Sequence, residues 1–274
     1  MVLKNRFGMF IHWGLYAIPG RGEWVQSDEQ INQDKYAEYF DEWNPTHYDP
    51  VKWAKMAKQA GMKYAILTTK HHEGFCLFDS AYTDYKSTNT KCGRDLVREF
   101  VDAFRAEGLK VGFYYSLLDW HHPDYPAYGD MYHGDRNNKA LMGKTHNFEN
   151  YLTYLHNQVR ELMTNYGKID ILWFDFSYKG HMGEDWHGTE LVKLVKSLQP
   201  DIIMNGRLEA NGENYGSVMT DEPNVFSGDF ASPERIIPPA GQQTPSGMDV
   251  PREACFTLNN NWGYAPNDKQ HKNP

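Results

Sequence analysis

The sequence predicts an α/β fold, a (β/α)8-like barrel of the TIM type whose pattern thins out at its C-terminal end, and three observations carry the prediction. Short apolar runs alternate with stretches of helical period, glycines stop those helices a few residues before the next run, and 274 residues suit one barrel domain. Helix, glycine stop, strand and loop, repeated in that order, is the grammar of βαβ units around a parallel sheet.

Taken along the chain, five runs read as strands: 9–13, 64–68, 111–115, 169–174 and 202–204. Each is too short for a helix and is bounded by Gly or polar residues. Ahead of the second run, Asp49 caps a helix that opens on Pro50, whose ring presets φ and whose missing N–H would have no partner there anyway. Gly61 supplies the left-handed stop, and Gly108 and Gly167 repeat it before the third and fourth runs. Across 150–166, Tyr151, Leu152, Leu155, Val159, Leu162 and Met163 recur every three to four residues, the buried stripe of an amphipathic helix. Weaker strand candidates at 218–220 and 254–258 leave the count of eight incomplete. The stretch 211–246, rich in Gly, Pro, Ser and acidic residues, reads as long loops around a site.

Composition removes several function classes. The formal net charge is -8 and no Lys/Arg run could follow phosphates, so no nucleic-acid partner is expected. Cys76, Cys92 and Cys255 are odd in number and lack CxxC spacing, which points to reduced thiols rather than a disulfide framework or a structural zinc site. No apolar stretch approaches the roughly 20 residues that cross a bilayer, so no membrane partner is expected either. Met1 stands a few residues before the first run, with no signal peptide, and the expected location is cytoplasmic; a processed secreted protein restarted with a new Met has the same appearance. Aromatic residues make up 15%, with 8 Trp and 18 Tyr, a slight lean toward carbohydrate surfaces.

In a parallel α/β barrel the site lies at the C-terminal ends of the strands. That rule selects His12, the pair His71 and His72, Tyr114 and Tyr115, Asp175 and Arg207. Asp175 carries the sharpest argument: with a period of two it shares a face with Ile169, Ile171 and Trp173. Burying an unpaired carboxylate costs roughly several kcal/mol, so a sequence seldom places one there without a use. A salt-bridged Asp tying down a loop fits the position equally well. Asp170, of opposite parity, reads as a cap or surface charge, and His121 and His122 as loop packing or distal substrate contact. His71 and His72 are adjacent, so both reach one pocket only where the strand has already turned. The histidines also admit a metal-dependent barrel hydrolase, but no strand carries the His-x-His pair that such sites favour, and no metal or cofactor is expected.

At these residues the chain resembles the α-L-fucosidases of glycoside hydrolase family 29. The matching segments are FGMFIHWG (7–14), GEW (22–24), KYAILTTKHHEGFCLFDSAYTDY (63–85), RDLV (94–97), GFYYSLLDWHHPDY (112–125), ILWFDF (171–176), GDFASPE (228–234) and NNWGY (260–264). The resemblance covers almost the whole chain. It implies that a fucose ring is held by His12, Glu23, Trp24, His71, His72 and Tyr114, with Trp173 two residues before the nucleophile, Asp175. Arg207, in Asn205-Gly206-Arg207, matches an Arg that follows Asn-Asp in the family. For the acid/base, the GDFASPE segment points to Glu234, the runner-up is Glu253 in PREAC, and Asp221 and Glu222 stand third.

The implied activity is a retaining, exo-acting α-L-fucosidase that removes terminal fucose from oligosaccharides or glycoconjugates by double displacement, with the histidines and Arg207 donating to ring hydroxyls. Family members continue into the last strand and helix of the barrel and then a β-sandwich domain. Here one catalytic barrel domain over 1–274 is expected, without the sandwich, its end modified, truncated or completed by another subunit. A non-catalytic fucose-binding barrel is the rival that this departure keeps open.

Overall fold

Five parallel strands form one sheet in the order β1-β2-β3-β4-β5: Gly8–Ile11, Tyr64–Lys70, Lys110–Ser116, Ile171–Asp175 and Ile203–Met204. The computed structural model describes residues 5–237 and 239–272. Four long helices connect consecutive strands: α1 (Pro50–Gln59), α2 (Leu96–Ala106), α3 (Phe148–Asn165) and α4 (Gly188–Leu198). Consecutive strands are spatial neighbours throughout, as βαβ crossovers require.

The local signals act where the sequence places them. Asp49 accepts a hydrogen bond from Lys52 N at the start of α1, with Pro50 as first residue, and Gly61, Gly108 and Gly167 all take positive φ. Side-chain parity divides the sheet. Ala65, Leu67, Val111, Phe113, Tyr115, Leu172 and Phe174 pack outward with the helices, whereas Ile66, Tyr114, Ile171, Trp173 and Phe230 make a separate inner cluster. Ile169 departs from its expected place beside Ile171 and Trp173, because β4 starts only at Ile171 and Ile169 packs with the outer core.

The sheet is α/β and parallel but does not close among the described residues. Beyond β5 the pairing continues by isolated parallel bridges, Asn205 with Phe230, Ala231 with Arg252 and Glu234 with Cys255. The weak candidate 254–258 is therefore a single bridge rather than a strand, and 218–220 falls on a 3-10 turn, Gly216–Met219. A cleft of about 860 Å³ separates β1 from residues 253–271. No helix is long and apolar enough to cross a membrane among the described residues.

A register slip between Thr68 and Lys70 decides what faces the site. It pairs Lys70 with Tyr115 and turns its side chain outward, where Nζ lies 4.5 Å from the Tyr115 ring centroid and bonds Asp119 Oδ2 at 3.0 Å. Asp119 Oδ1 in turn accepts from His121 N and His122 N, so this buried pair pins the end of β2 to the loop after β3. Asp119→Ala leaves an unpaired buried ammonium and is expected to cost about 3–5 kcal/mol, read from the urea midpoint. A double variant, Lys70→Met with Asp119→Leu, should recover much of that loss.

Candidate active site

The slip and the end of β2 at Lys70 release the next two residues from strand alternation, and His71 and His72 enter the same pocket, ring centroids 4.0 Å apart. The pocket, of about 110 Å³, is lined by Phe10 and His12 from the first strand and its end, Glu23 and Trp24, His71 and His72, Tyr114, and Trp173, Asp175 and Phe176 from β4 and its end. Glu234, Cys255 and Trp262 close it from the C-terminal loops. It sits at the C-terminal ends of the strands, the face where the loops can vary without disturbing the core.

Asp175 is buried and points inward. Its Oδ1 accepts from Arg207 Nη2 at 2.7 Å, and its Oδ2 accepts from the Tyr114 hydroxyl at 2.7 Å. The same Arg207 nitrogen donates to Glu234 Oε1 at 2.8 Å, so one guanidinium corner holds both carboxylates. Burial pushes the Asp175 pKa up; Arg207 opposes the rise, Glu234 adds to it, the Tyr114 hydroxyl opposes it, and the balance stands at about 6. Burial and the Asp175 charge hold the Tyr114 pKa well above its usual value, so its hydroxyl keeps the proton that it donates.

Each histidine is anchored through Nδ1. His12 Nδ1 lies 2.6 Å from the hydroxyl of Tyr16, a tyrosine kept protonated chiefly by burial. His71 Nδ1 donates to Glu73 Oε2 at 3.0 Å. His72 Nδ1 lies 2.7 Å from Ser116 Oγ, which is also within hydrogen-bond reach of Leu118 O. Burial, with His71 and His12 adding to it, lowers the His72 pKa well below the usual range and keeps the ring neutral. His72 Nε2 lies 3.8 Å from Asp175 Oδ2.

Of the residues singled out in the sequence, His12, Glu23, Trp24, His71, His72, Tyr114, Trp173, Asp175 and Glu234 line one pocket. Arg207 lies behind the wall with its guanidinium 5.0 Å from the Trp173 ring centroid, tied to the two carboxylates rather than presented to a ring hydroxyl. Glu23 uses Oε2 to hold Trp262 N and Gly263 N, so besides facing the pocket it fixes a wall. Glu253 is outside the pocket: Oε2 accepts from Trp173 Nε1 at 2.8 Å and Ser232 Oγ at 2.6 Å, a supporting position under Trp173. Asp221 is exposed and caps Ser246 N, Glu222 is exposed, His121 stacks on Tyr85, and Asp170 bonds Lys110 and Val111 N.

The sequence reading missed Phe10, Phe176, Cys255 and the wall role of Trp262. Phe10 has the parity of His12 and was open to detection; Trp262 and Cys255 reach the pocket through loops with no period. Phe176, directly after Asp175, adopts φ +132, a strained geometry costing of order 1–3 kcal/mol, and such strain gathers at functional sites.

The model of the α-L-fucosidase family matches residues 3–274. This chain belongs to the α-L-fucosidase family. Among solved structures, α-L-fucosidase isoenzyme 1 from Paenibacillus thiaminolyticus shares 59% identity with a TM-score of 0.94, over 98% of this chain and 63% of that one. A family 29 α-L-fucosidase from Bacteroides thetaiotaomicron, trapped as a covalent intermediate, shares 35% identity with a TM-score of 0.76, over 96% of this chain and 60% of that one. The tissue α-L-fucosidase of Rattus norvegicus is 30% identical over 228 residues, 76% of this chain and 46% of its own length. The chain thus spans about half the length of that curated relative, and its fucosidase-family fold is α/β around a parallel sheet.

Proposed function

We propose that the chain is the catalytic part of a retaining, exo-acting α-L-fucosidase on a (β/α)8-type frame, with Asp175 as nucleophile and Glu234 as acid/base. The observation that carries this reading is the single Arg207 nitrogen bonded to both carboxylates. Two oxygens at 2.7 and 2.8 Å from one atom are separated by no more than those two lengths end to end, so the pair stands no farther apart than the roughly 5–5.5 Å of retaining enzymes. Inverting pairs stand about 6.5–9.5 Å apart to admit a water.

In the first step an Asp175 oxygen forms a bond to the anomeric carbon as the bond to the leaving oxygen breaks, and Glu234 gives that oxygen a proton. In the second, water attacks the same carbon, Glu234 takes its proton, and the bond to Asp175 breaks to regenerate the carboxylate. Tyr114 and Arg207 steady the carboxylate that leaves; His12 and His72 present ring nitrogens to ring hydroxyls; the aromatic walls receive the ring's apolar face and methyl. The pocket's size suits one terminal sugar, and the expected substrate is a fucosylated oligosaccharide or glycoconjugate. The covalent intermediate of the Bacteroides relative supports the two-step course. The family match favours neither the non-catalytic barrel nor the metal-dependent hydrolase.

Glu234 and Glu253 are separated by leaving-group dependence. Glu234→Gln should lower kcat/KM for an oligosaccharide about 10²–10⁴-fold but much less for α-L-fucosyl fluoride, whose fluoride departs without a proton. Glu253→Gln should leave the ratio of the two substrates nearly unchanged. The opposite pattern transfers the acid role to Glu253.

A further inference from the structure

Whatever is attached to fucose must leave past Glu234, because that carboxyl has to reach the glycosidic oxygen. We propose that Arg235, the next residue, grips the leaving saccharide, its guanidinium donating to hydroxyl or amide-carbonyl oxygens of a neutral sugar. The inference rests on the assignment of Glu234 in the preceding subsection.

Arg235 is held in an unusual way for a surface residue. Its backbone takes φ +57, a left-handed conformation that costs a side-chain-bearing residue roughly 1–2 kcal/mol, and its N–H donates to Cys255 O at 3.0 Å. Cys255 lines the sugar pocket, so the strained residue is stitched to the pocket wall. The guanidinium lies 5.6 Å from the ring centroid of Trp262, which also lines the pocket and whose backbone N–H is fixed by Glu23. Among the described residues the guanidinium makes one hydrogen bond, Nη2 to Asn260 O at 3.0 Å, and pairs with no carboxylate. An arginine carries five N–H donors in a planar fork, so most of the fork is left for a ligand.

The guanidinium lies over the Trp262 ring, and its remaining N–H donors suit the hydroxyl rim of a sugar seated against this wall. The formal charge of -8, with Glu234 one residue away, repels an anionic leaving group at longer range, which makes a neutral sugar the ligand class. A cation kept for loop structure alone would serve every substrate alike. Contact with the leaving group serves only substrates that carry one.

The test compares α-L-fucosyl fluoride, which has no leaving sugar, with a neutral fucosyl-N-acetylglucosamine disaccharide. Arg235→Ala is expected to lower kcat/KM for the disaccharide about tenfold or more and to leave the fluoride within about twofold; Arg235→Lys should recover part of the loss. Retained turnover of the fluoride reports an intact fold. An unchanged disaccharide rate, or equal falls on both substrates, overturns the proposal while leaving the hydrolase reading in place. A wild-type chain inert toward both substrates overturns the two together.

Discussion

Asp175→Gly is expected to lower kcat/KM for an aryl α-L-fucoside by about 10⁴-fold or more, and added azide should restore part of the turnover by forming a fucosyl azide. The size of the effect follows from what the carboxylate does. It supplies the bonding electrons in the first step and is the group expelled in the second, so its removal leaves no route through a covalent intermediate. The glycine opens space beside Tyr114 and Arg207, and both of their donors then face the incoming anion. Fold integrity is checked by the urea midpoint. Arg207 keeps Glu234 as a partner in this variant, so the loss of stability should be smaller than the loss of activity.

Arg207→Met should act on both activity and stability, with opposite demands on pH. In the wild type, Asp175 is ionised above about 6, so kcat/KM should fall as pH drops through that value. Arg207 is the strongest influence opposing the rise caused by burial. Its loss should move the acid limb upward by at least about 1 unit, since a neighbouring arginine lowers an Asp by roughly 1–3 units. For stability the sign runs the other way. A carboxyl whose folded pKa lies above its unfolded one contributes stability that is present at low pH and lost as pH rises through the folded value. The deficit of Arg207→Met should therefore be small near pH 4 and grow toward pH 8, on the scale of about 3–5 kcal/mol for a broken buried pair. Thermal or urea unfolding at several pH values measures it; a deficit independent of pH contradicts the coupling.

Much of this site was legible in the sequence because strand alternation is a simple code. Asp175 shares the inward face of Ile171 and Trp173, while Tyr114 and His12 were picked out by their places at strand ends. The His71 and His72 pair required the strand to have ended, and the slip at Thr68 and Lys70 is what turns the chain. A slip of that kind leaves no trace in hydrophobic periodicity. The inclusion of Ile169 on the inward face failed for a related reason: it lies before the strand begins, where alternation does not yet apply. Arg207 was selected by its place after β5, yet its partners come from two other segments, 27 and 32 residues distant in sequence. Which carboxylates a guanidinium bridges depends on loop paths that no local pattern encodes. The open sheet shows the same limit. Five strands carry clear apolar runs, while the segments after β5 pair by single bridges and their sequence is that of loops.

A covalent bond between Asp175 and the sugar is the central step of the proposed reaction. Incubation with 2-deoxy-2-fluoro-fucosyl fluoride, whose fluorine slows the second step, followed by proteolysis and mass spectrometry, examines that bond itself. One fluorofucosyl residue per chain is expected, attached to the peptide that contains Asp175. A label on another carboxylate, or steady hydrolysis of ordinary fucosides with no trapped adduct and inversion at the anomeric carbon, would contradict it.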